Sequence, residues 1–514
     1  MGNLAIMGKP ENANLAEWVR EAARAYGAHP AFIDTARQLT WEQADAEVDA
    51  IAAGLVQRGL HAGERVAVLL TNSATFVTCY FGILRAGLVC VPINPAFTAA
   101  ELAVLLADSG ARLLLAERAV AGTAAEAIAA ARTCEVLVVE DPEWTELMAV
   151  GRRTALAEVA TPPQTLAVLL FTAGTSGRPK GAMLTHGALR ANNELLLALD
   201  SPPAVRHDDV VLAVLPLFHV YGLNTVLGLA ASVAATSVIL DRFDPREVLA
   251  TVADYGITTV AGVPAMYQAW CQVPQAATGL ANVRLFSSGG SPLPVQVYEA
   301  FTAATGQPIY EGYGMTEAGP VVCTALAGTG PKAGSVGPVL PGMELRLVDG
   351  AGSLVDEGDP GEVWVRGPSL FTGYWPDGAG GPDAEGWFRS GDVAVLDGDL
   401  NLHLIDRRRE LILVNGFNVY PREVELAIES MPEVAEVAVV GVADDRTGEA
   451  VTALVVAEPG QSVTAEQVLT HCERNLARFK WPTVVRIVET LPHSATGKIA
   501  KGRLREVYGV EGAV

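Results

Sequence analysis

The chain has 514 residues, of which 50% are hydrophobic and 18% charged, and its formal net charge at pH 7 is -22. Length and composition exclude a disordered chain and exceed one ordinary core, so at least two globular domains are expected. The acidic balance argues against a nucleic-acid or anionic-membrane surface, because a polyanion is repelled at long range; an anionic ligand has to be held by a local cluster of donors.

The six cysteines, Cys79, Cys90, Cys134, Cys271, Cys323 and Cys472, lack C-x-x-C spacing. They fit reduced core thiols, and a cytoplasmic location is expected. Met1 to Arg20 lacks the basic, apolar and small-residue order of a secretory leader. The best membrane-span candidate, Asn224 to Leu240, falls short of ~20 residues and carries Asn224, Thr225, Ser232, Thr236 and Ser237. It reads as a buried helix running into a strand.

In chain order, the first part alternates helix and strand. Thr40-Trp-Glu-Gln43 is a capping box opening a helix to about Arg58, Arg65 to Leu70 is a strand, and Ala74 to Ala86 is helical. Strands Val89 to Ile93, Arg112 to Ala116 and Glu135 to Val139 follow, separated by helical stretches, which implies a largely parallel sheet covered on both faces. The pattern resumes with the apolar run Leu166 to Leu170 and continues through Val210 to Leu215, Thr258 to Ala261 and Leu285 to Ser288, enough for a second α/β sheet. From Gly334 to about Leu404 come short β runs broken by glycine and proline, Glu344 to Val348, Glu362 to Arg366 and Val393 to Leu396, which predict a small antiparallel barrel-like unit. After Asp406 a helix begins at Pro421, Val437 to Val442 and Ala450 to Ala457 are strands, Thr464-Ala-Glu-Gln467 caps another helix, and Val484 to Val488 is a further strand. This last stretch implies an α+β domain of roughly a hundred residues.

The chemistry sits in loops that follow strands, where open α/β sheets place ligands. Phe171-Thr-Ala-Gly-Thr-Ser-Gly-Arg-Pro-Lys-Gly181 is a cradle of small residues: glycines let backbone N–H groups approach an anion, Thr172, Thr175 and Ser176 add hydroxyls, and Lys180 adds charge. It is not a Walker A loop, since Lys180 follows Pro179 and precedes Gly181; on its own it also fits a flexible surface turn. Tyr310-Glu-Gly-Tyr-Gly-Met-Thr-Glu317 offers the aromatic face of Tyr313, a hydroxyl at Thr316 and a carboxylate at Glu317, groups able to stack a base, touch a phosphate and hold Mg²⁺. Trp387-Phe-Arg-Ser-Gly-Asp392 ends in an acid suited to two ribose hydroxyls. Asp406-Arg-Arg-Arg409 sets three cations at a domain junction, and Pro492-His-Ser-Ala-Thr-Gly-Lys498 presents a lysine on a glycine-containing turn. Each has a bland alternative as core, turn or solvated face; the ordered set does not.

In these motifs, and in the weaker Leu215-Pro-Leu-Phe-His-Val-Tyr-Gly222, the chain resembles the adenylate-forming superfamily of acyl-CoA synthetases, luciferases and peptide-synthetase adenylation domains, over nearly its whole length. The resemblance implies an α/β multidomain protein. Its large N-terminal domain, residues 1–405, would hold two α/β sheets and a small β-barrel; a mobile α+β C-terminal domain, residues 406–514, would turn about a hinge at Asp406. It implies ATP, Mg²⁺ and coenzyme A. Thr172, Ala173, Gly174, Thr175, Ser176, Gly177 and Lys180 would hold the β- and γ-phosphates. Gly289, Gly290, Ser291, Tyr313 and Gly314 would enclose adenine, Asp392 with Arg407 would hold ribose, Thr316 would contact the α-phosphate and Glu317 the Mg²⁺. Lys498 would bridge the carboxylate and the α-phosphate as two anions meet to form acyl-AMP. Rotation about the hinge would then exchange Lys498 for Leu413 to Asn418, with Gly416, Phe417 and Asn418 admitting the pantetheine arm. Leu413, Val414 and Asn415 depart from the Lys or Ser-Gly that many aryl- and fatty-acyl members carry there.

Peptide-synthetase domains place an aspartate after the Phe of the motif that here reads Phe218-His219, so an acid without an α-amino group is implied; His219 would lie beside its carboxylate. The pocket segments Val260 to Pro264, with Gly262 and Val263, and Gly319 to Val322 are apolar and small with no Arg or Lys. They favour a hydrophobic monocarboxylate, fatty or bulky, over a dicarboxylate, and replacing Gly262 with Leu is expected to exclude the bulkier acids. Three functions stay open: an acyl-CoA synthetase, an acyl-AMP ligase loading an acyl carrier protein, and a non-catalytic ligand-binding relative, against which Glu317, Asp392 and Lys498 argue. Monomer and homodimer are both compatible with the chain.

Overall fold

A computed structural model describes residues 12–131, 134–157, 159–172, 179–356, 358–407, 412–414, 417–419, 421–444, 448–476, 478–493 and 499–508. The chain forms two compact units. One takes in the chain up to Glu344 together with Val365–Phe388, the other Leu345–Trp364 together with the chain from Arg389 onward.

The first unit contains two mixed sheets. The six-stranded one runs, in spatial order, Glu135–Val138, Leu113–Ala116, Arg65–Leu69, Val89–Pro92, Leu166–Thr172 and Lys180–Thr185. All neighbours are parallel except the last pair, a hairpin in which Thr172 lies opposite Lys180. Its inner strands are largely buried on both faces, and Ala67, Leu69, Val89, Val91 and Leu114 pack against Leu102, Leu105 and Leu106 of the helix Ala99–Ser109, as expected for a sheet covered on both sides. The helix Trp41–Gln57 starts at the anticipated capping box, with both the Gln43 N–H to Thr40 Oγ1 and Thr40 N–H to Gln43 Oε1 bonds formed at 3.3 and 3.0 Å.

The eight-stranded sheet runs Val321–Thr324, Ile309–Gly314, Leu285–Ser288, Thr259–Gly262, Val210–Ala213, Thr236–Ile239, Pro30–Ile33 and Gln38–Thr40. It is parallel inside and antiparallel at both edges. The edge hairpin Pro30–Thr40 belongs to this second sheet although the chain next builds the first, a pairing more than 190 residues distant that no local period announces. Residues 221–239 form a π-helical turn, Tyr221–Gly228, then the helix Leu229–Ser232 and the strand Thr236–Ile239, the helix-into-strand order read from the sequence. Among the described residues no helix is long and apolar enough to cross a membrane.

Glu344–Val348, Gly361–Arg366, Phe388–Leu396 and Leu402–Arg407, most of whose residues belong to the second unit, form a four-stranded sheet; it is a half-barrel rather than a closed one. A five-stranded sheet follows, with Phe417–Val419, Ile412–Val414, Gly448–Ala457 and Val434–Asp444 in order and Val484–Ile487 added in parallel to Gly448–Ala457. The helices Pro421–Glu429 and Ala465–Asn475 cover it through Val424, Ile428, Val468 and Cys472.

Candidate active site

The turn carrying Thr316 and Glu317 follows the strand Ile309–Gly314 and is built by close approach. A Cβ at Gly314 would lie 2.3 Å from the Pro320 carbonyl oxygen, so only glycine lets the two segments pass. Met315 N–H donates to that oxygen at 3.0 Å, and Thr316–Ala318 closes as a 3₁₀ turn. Two buried amides lock the turn from behind. Asn192 Nδ2 donates to the Val321 and Ala318 carbonyls at 2.9 and 3.4 Å while its Oδ1 accepts from Val321 N–H at 3.2 Å. Asn224 Nδ2 donates to the Gly319 carbonyl at 2.7 Å and to that of Leu189 at 3.0 Å. Asn224 was one of the residues that disfavoured a membrane span; its use is to fix this turn. Thr316 and Glu317 are half-buried, Tyr313 is buried and Gly314 exposed.

Tyr374 joins this turn to the hairpin of the other sheet. Its hydroxyl donates to Glu317 Oε1 at 2.6 Å, and the Lys180 ammonium stands 5.1 Å from its ring centroid. Lys180 and Thr172 are themselves drawn together, Thr172 Oγ1 donating to the Lys180 carbonyl at 3.4 Å. Ala173, Gly174, Thr175, Ser176 and Gly177, the rest of the cradle, lie outside the described residues. Sequence reasoning passed over Tyr374; Gly373-Tyr-Trp-Pro376, an aromatic pair between a glycine and a proline, is the signal that could have marked it.

The loop Gly289-Gly-Ser291 leaves the strand Leu285–Ser288, with Gly290 at φ +82°. The buried Glu311 carboxylate accepts from Leu293 N–H at 2.8 Å and so ties this loop to the strand before Tyr313. The Tyr221 ring lies 3.3 Å from where a Gly289 Cβ would stand. Burial pushes the Tyr221 hydroxyl up to about 12, against the opposing effect of its bond to the Ser287 side chain. His219 is half-buried, and its Nδ1 accepts from Tyr221 N–H at 3.3 Å, which leaves Nε2 as the protonated nitrogen.

At the end of the strand Thr259–Gly262 and just beyond it, Ala261 and Val263 are half-buried, and Val260 and Gly262 are buried. A Cβ on Gly262 would meet the Tyr267 hydroxyl at 3.1 Å and Met266 Cε at 3.2 Å. A larger residue there would therefore press into the aromatic cluster of Tyr267, Trp270, Phe286 and Phe301.

In the second unit Asp392 and Arg407 are direct partners on antiparallel strands, and Asp406, the expected hinge, pairs with Val393 within the same ladder. Gly391, at φ +76°, and Ser390, whose Oγ accepts from Asp392 N–H at 3.0 Å, shape the strand just before the acid. Phe417 and Asn418 lie opposite Val414 and Leu413. Gly416 and Lys498 fall outside the described residues. Among the described residues His493 and Ile499 form an antiparallel bridge, His493 Nε2 lies 3.1 Å from Glu436, and Lys501 Nζ lies 2.7 Å from Glu425. No described group of three His, Cys, Asp or Glu could hold a metal ion by itself.

The family described as "AMP-binding enzyme" matches residues 19–375, and its C-terminal domain matches residues 423–498. The chain is 32% identical to a long-chain-fatty-acid–CoA ligase of Yersinia pestis, over 96% of this chain and 94% of that protein. It is 35% identical to a feruloyl-CoA synthase of Amycolatopsis, over 97% and 100%. Among solved structures, ATP-bound MatB of Rhodopseudomonas palustris superposes with a TM-score of 0.87 at 33% identity, covering 97% of this chain and 99% of that one.

Proposed function

We propose that the chain, which belongs to the family of AMP-binding enzymes and is an AMP-forming acid–CoA ligase, acts on an apolar monocarboxylic acid, fatty or aryl, with Mg²⁺·ATP and coenzyme A as its other substrates. The observation that carries the choice of acid is the end of the strand Thr259–Gly262 and the residue after it: the half-buried side chains there, Ala261 and Val263, are small and uncharged. A second carboxylate placed there would lose its hydration without a cation to replace it. The acids in the relatives' names, long-chain fatty acids and ferulate, both have an apolar body and one carboxylate.

A carboxylate does not exchange its oxygen for a thiol unless that oxygen becomes a good leaving group. Transfer of the AMP moiety supplies one. As carboxylate and α-phosphate approach, negative charge accumulates, and this chain brings donors to it. Lys180 and Thr172 would take the outer phosphates, Thr316 the α-phosphate, Glu317 the metal ion, and Lys498 both reacting anions. Glu317 fits Mg²⁺, a hard ion usually held by one or two carboxylates together with substrate phosphates. Asp392 and Arg407 would hold the ribose; Tyr313 and Gly289-Gly-Ser291 the adenine. Nε2 of His219, the nitrogen with the proton, would donate to the acid's carboxylate. Rotation about Asp406 would then withdraw Lys498 and bring Gly416, Phe417 and Asn418 to the thiol. Loading of a carrier protein is the competing second half-reaction.

Pyrophosphate exchange over a panel of acids tests this, followed by product analysis with coenzyme A and with a pantetheinylated carrier protein. Exchange is expected with medium-chain, long-chain or cinnamic acids and not with dicarboxylates, with thioester formed on coenzyme A. Ala261→Leu should shift preference to smaller acids. Preference for a dicarboxylate, or an unchanged profile in Ala261→Leu, would remove the proposed pocket.

A further inference from the structure

The segment Phe371–Trp375 crosses between the two sheets of the first unit and is bonded to both. On one side Phe371 N–H donates to the Glu317 carbonyl at 2.8 Å. On the other, Thr372 N–H donates to the Met183 carbonyl, Met183 N–H to that of Gly373, and Trp375 N–H to that of Gly181, at 3.1, 3.1 and 2.8 Å, so the segment acts as an added strand on Lys180–Thr185. Its far end is anchored by Trp375, whose Nε1 donates to the Asp108 carbonyl at 2.9 Å and whose ring lies 5.1 Å from the Arg65 guanidinium. Phe371 packs edge-on against both Tyr374 and Phe388, with centroids 5.0 Å apart in each case. Tyr374 is therefore held at its backbone, along its ring and at both neighbours.

We propose that Tyr374 is a positioning residue for the metal-bound triphosphate: its hydroxyl fixes one oxygen of Glu317 and leaves the other for Mg²⁺, while its ring seats the Lys180 ammonium. The inference rests on the proposed role of Glu317. A phenol donating to a carboxylate at 2.6 Å is a charge-assisted hydrogen bond. It orients the carboxylate and keeps it from turning both oxygens to water. Partners of this kind, one step removed from the metal, typically change metal affinity about 10- to 100-fold when removed. The ring acts separately, since an ammonium over an aromatic face is attracted by its quadrupole whether or not a metal is present. One side chain thus couples a cation from the six-stranded sheet to a carboxylate from the eight-stranded one, the two charges that the outer phosphates and their metal ion need at a fixed separation.

The two contacts can be removed one at a time. ATP binding to the full-length protein is measured by titration calorimetry without any acid, in Mg²⁺ and in chelator, for wild type, Tyr374→Phe, Tyr374→Leu and Glu317→Gln. Tyr374→Phe should lose about tenfold of the affinity gained from Mg²⁺ and keep its affinity for metal-free ATP. Tyr374→Leu should show the same loss and also bind metal-free ATP a few-fold more weakly; should it not fold, the Phe variant decides. A Phe variant with wild-type Mg²⁺ dependence, or one weakened equally with and without Mg²⁺, overturns the positioning role. If Glu317→Gln loses the Mg²⁺ effect while Tyr374→Phe retains it, only the inference about Tyr374 falls. If Glu317→Gln itself retains the effect, the metal role of Glu317 falls and takes this inference with it.

Discussion

The Glu317 turn and the Asp392 strand are held by different means. Glu317 sits on a 3₁₀ turn fixed by side chains from elsewhere, namely Asn192, Asn224 and Tyr374, which come from three separate segments. Asp392 sits inside an antiparallel ladder, and its alignment with Arg407 follows from backbone register alone. A ladder sets opposing residues within a few ångströms of one another whatever their side chains are. A turn has no such internal standard and needs anchors, each of which is a buried polar group that costs stability if its partner is removed. The first arrangement therefore couples chemistry to folding, whereas the second separates them.

The largest effect expected from this contrast is at Asn192. Asn192→Ala leaves the Val321 N–H and C=O without the amide that serves both, in a buried site. Unfolding in urea should show a loss of about 3 kcal/mol, with pyrophosphate exchange falling in parallel. A loss near zero would mean that the backbone alone holds the Glu317 turn, and the contrast would disappear. Asp392→Asn should behave in the opposite way. Register survives, so stability should stay within about 0.5 kcal/mol of wild type, while KM for ATP rises about tenfold, because hydrogen bonds to a charged acceptor contribute about 1.5–3 kcal/mol. Destabilisation of Asp392→Asn with unchanged KM would assign Asp392 to the fold.

The same contrast explains what could be read from the sequence. Asp392, Arg407, Thr172, Lys180, Thr316 and Glu317 lie in contiguous motifs from whose residue types the proposed roles are read, and the strands beside them have local hydrophobic patterns. The helices starting after Thr40 and Thr464 were marked by capping boxes that the structure forms. What escaped was non-local. The pairing of Phe32 with Ser237, the anchoring of Gly319 by Asn224 and the reach of Tyr374 to Glu317 join residues 57 to 205 positions apart, and no period or spacing encodes which distant group a buried amide or phenol will meet. Gly262 illustrates the same limit. Its smallness was visible, but whether that served a ligand or the Tyr267 ring depended on which face of the strand it occupied.

The last effect is a pH dependence confined to one side of the comparison. His186 begins the helix His186–Leu197 that carries Asn192; it is fully buried, and its Nδ1 accepts from Leu15 N–H at 3.2 Å. Burial pushes its imidazole down from 6.5 to about 3. In the folded protein the ring stays neutral to about pH 3, whereas in the unfolded chain it takes up a proton near pH 6.5. Between those values the unfolded state binds more protons, so stability is complete above 6.5 and falls with falling pH, by up to about 1.4 kcal/mol per unit. His186→Asn should cost stability at neutral pH and remove this slope, so that its difference from wild type narrows between pH 6.5 and 4.5. In the wild type, amide protection at Val321, corrected for intrinsic exchange, should drop over that range while protection in Phe388–Leu396 does not. Parallel pH profiles for the two proteins would show that His186 does not titrate with unfolding; equal loss of protection in both segments would show that acid acts on the whole chain and not through the helix that positions Glu317.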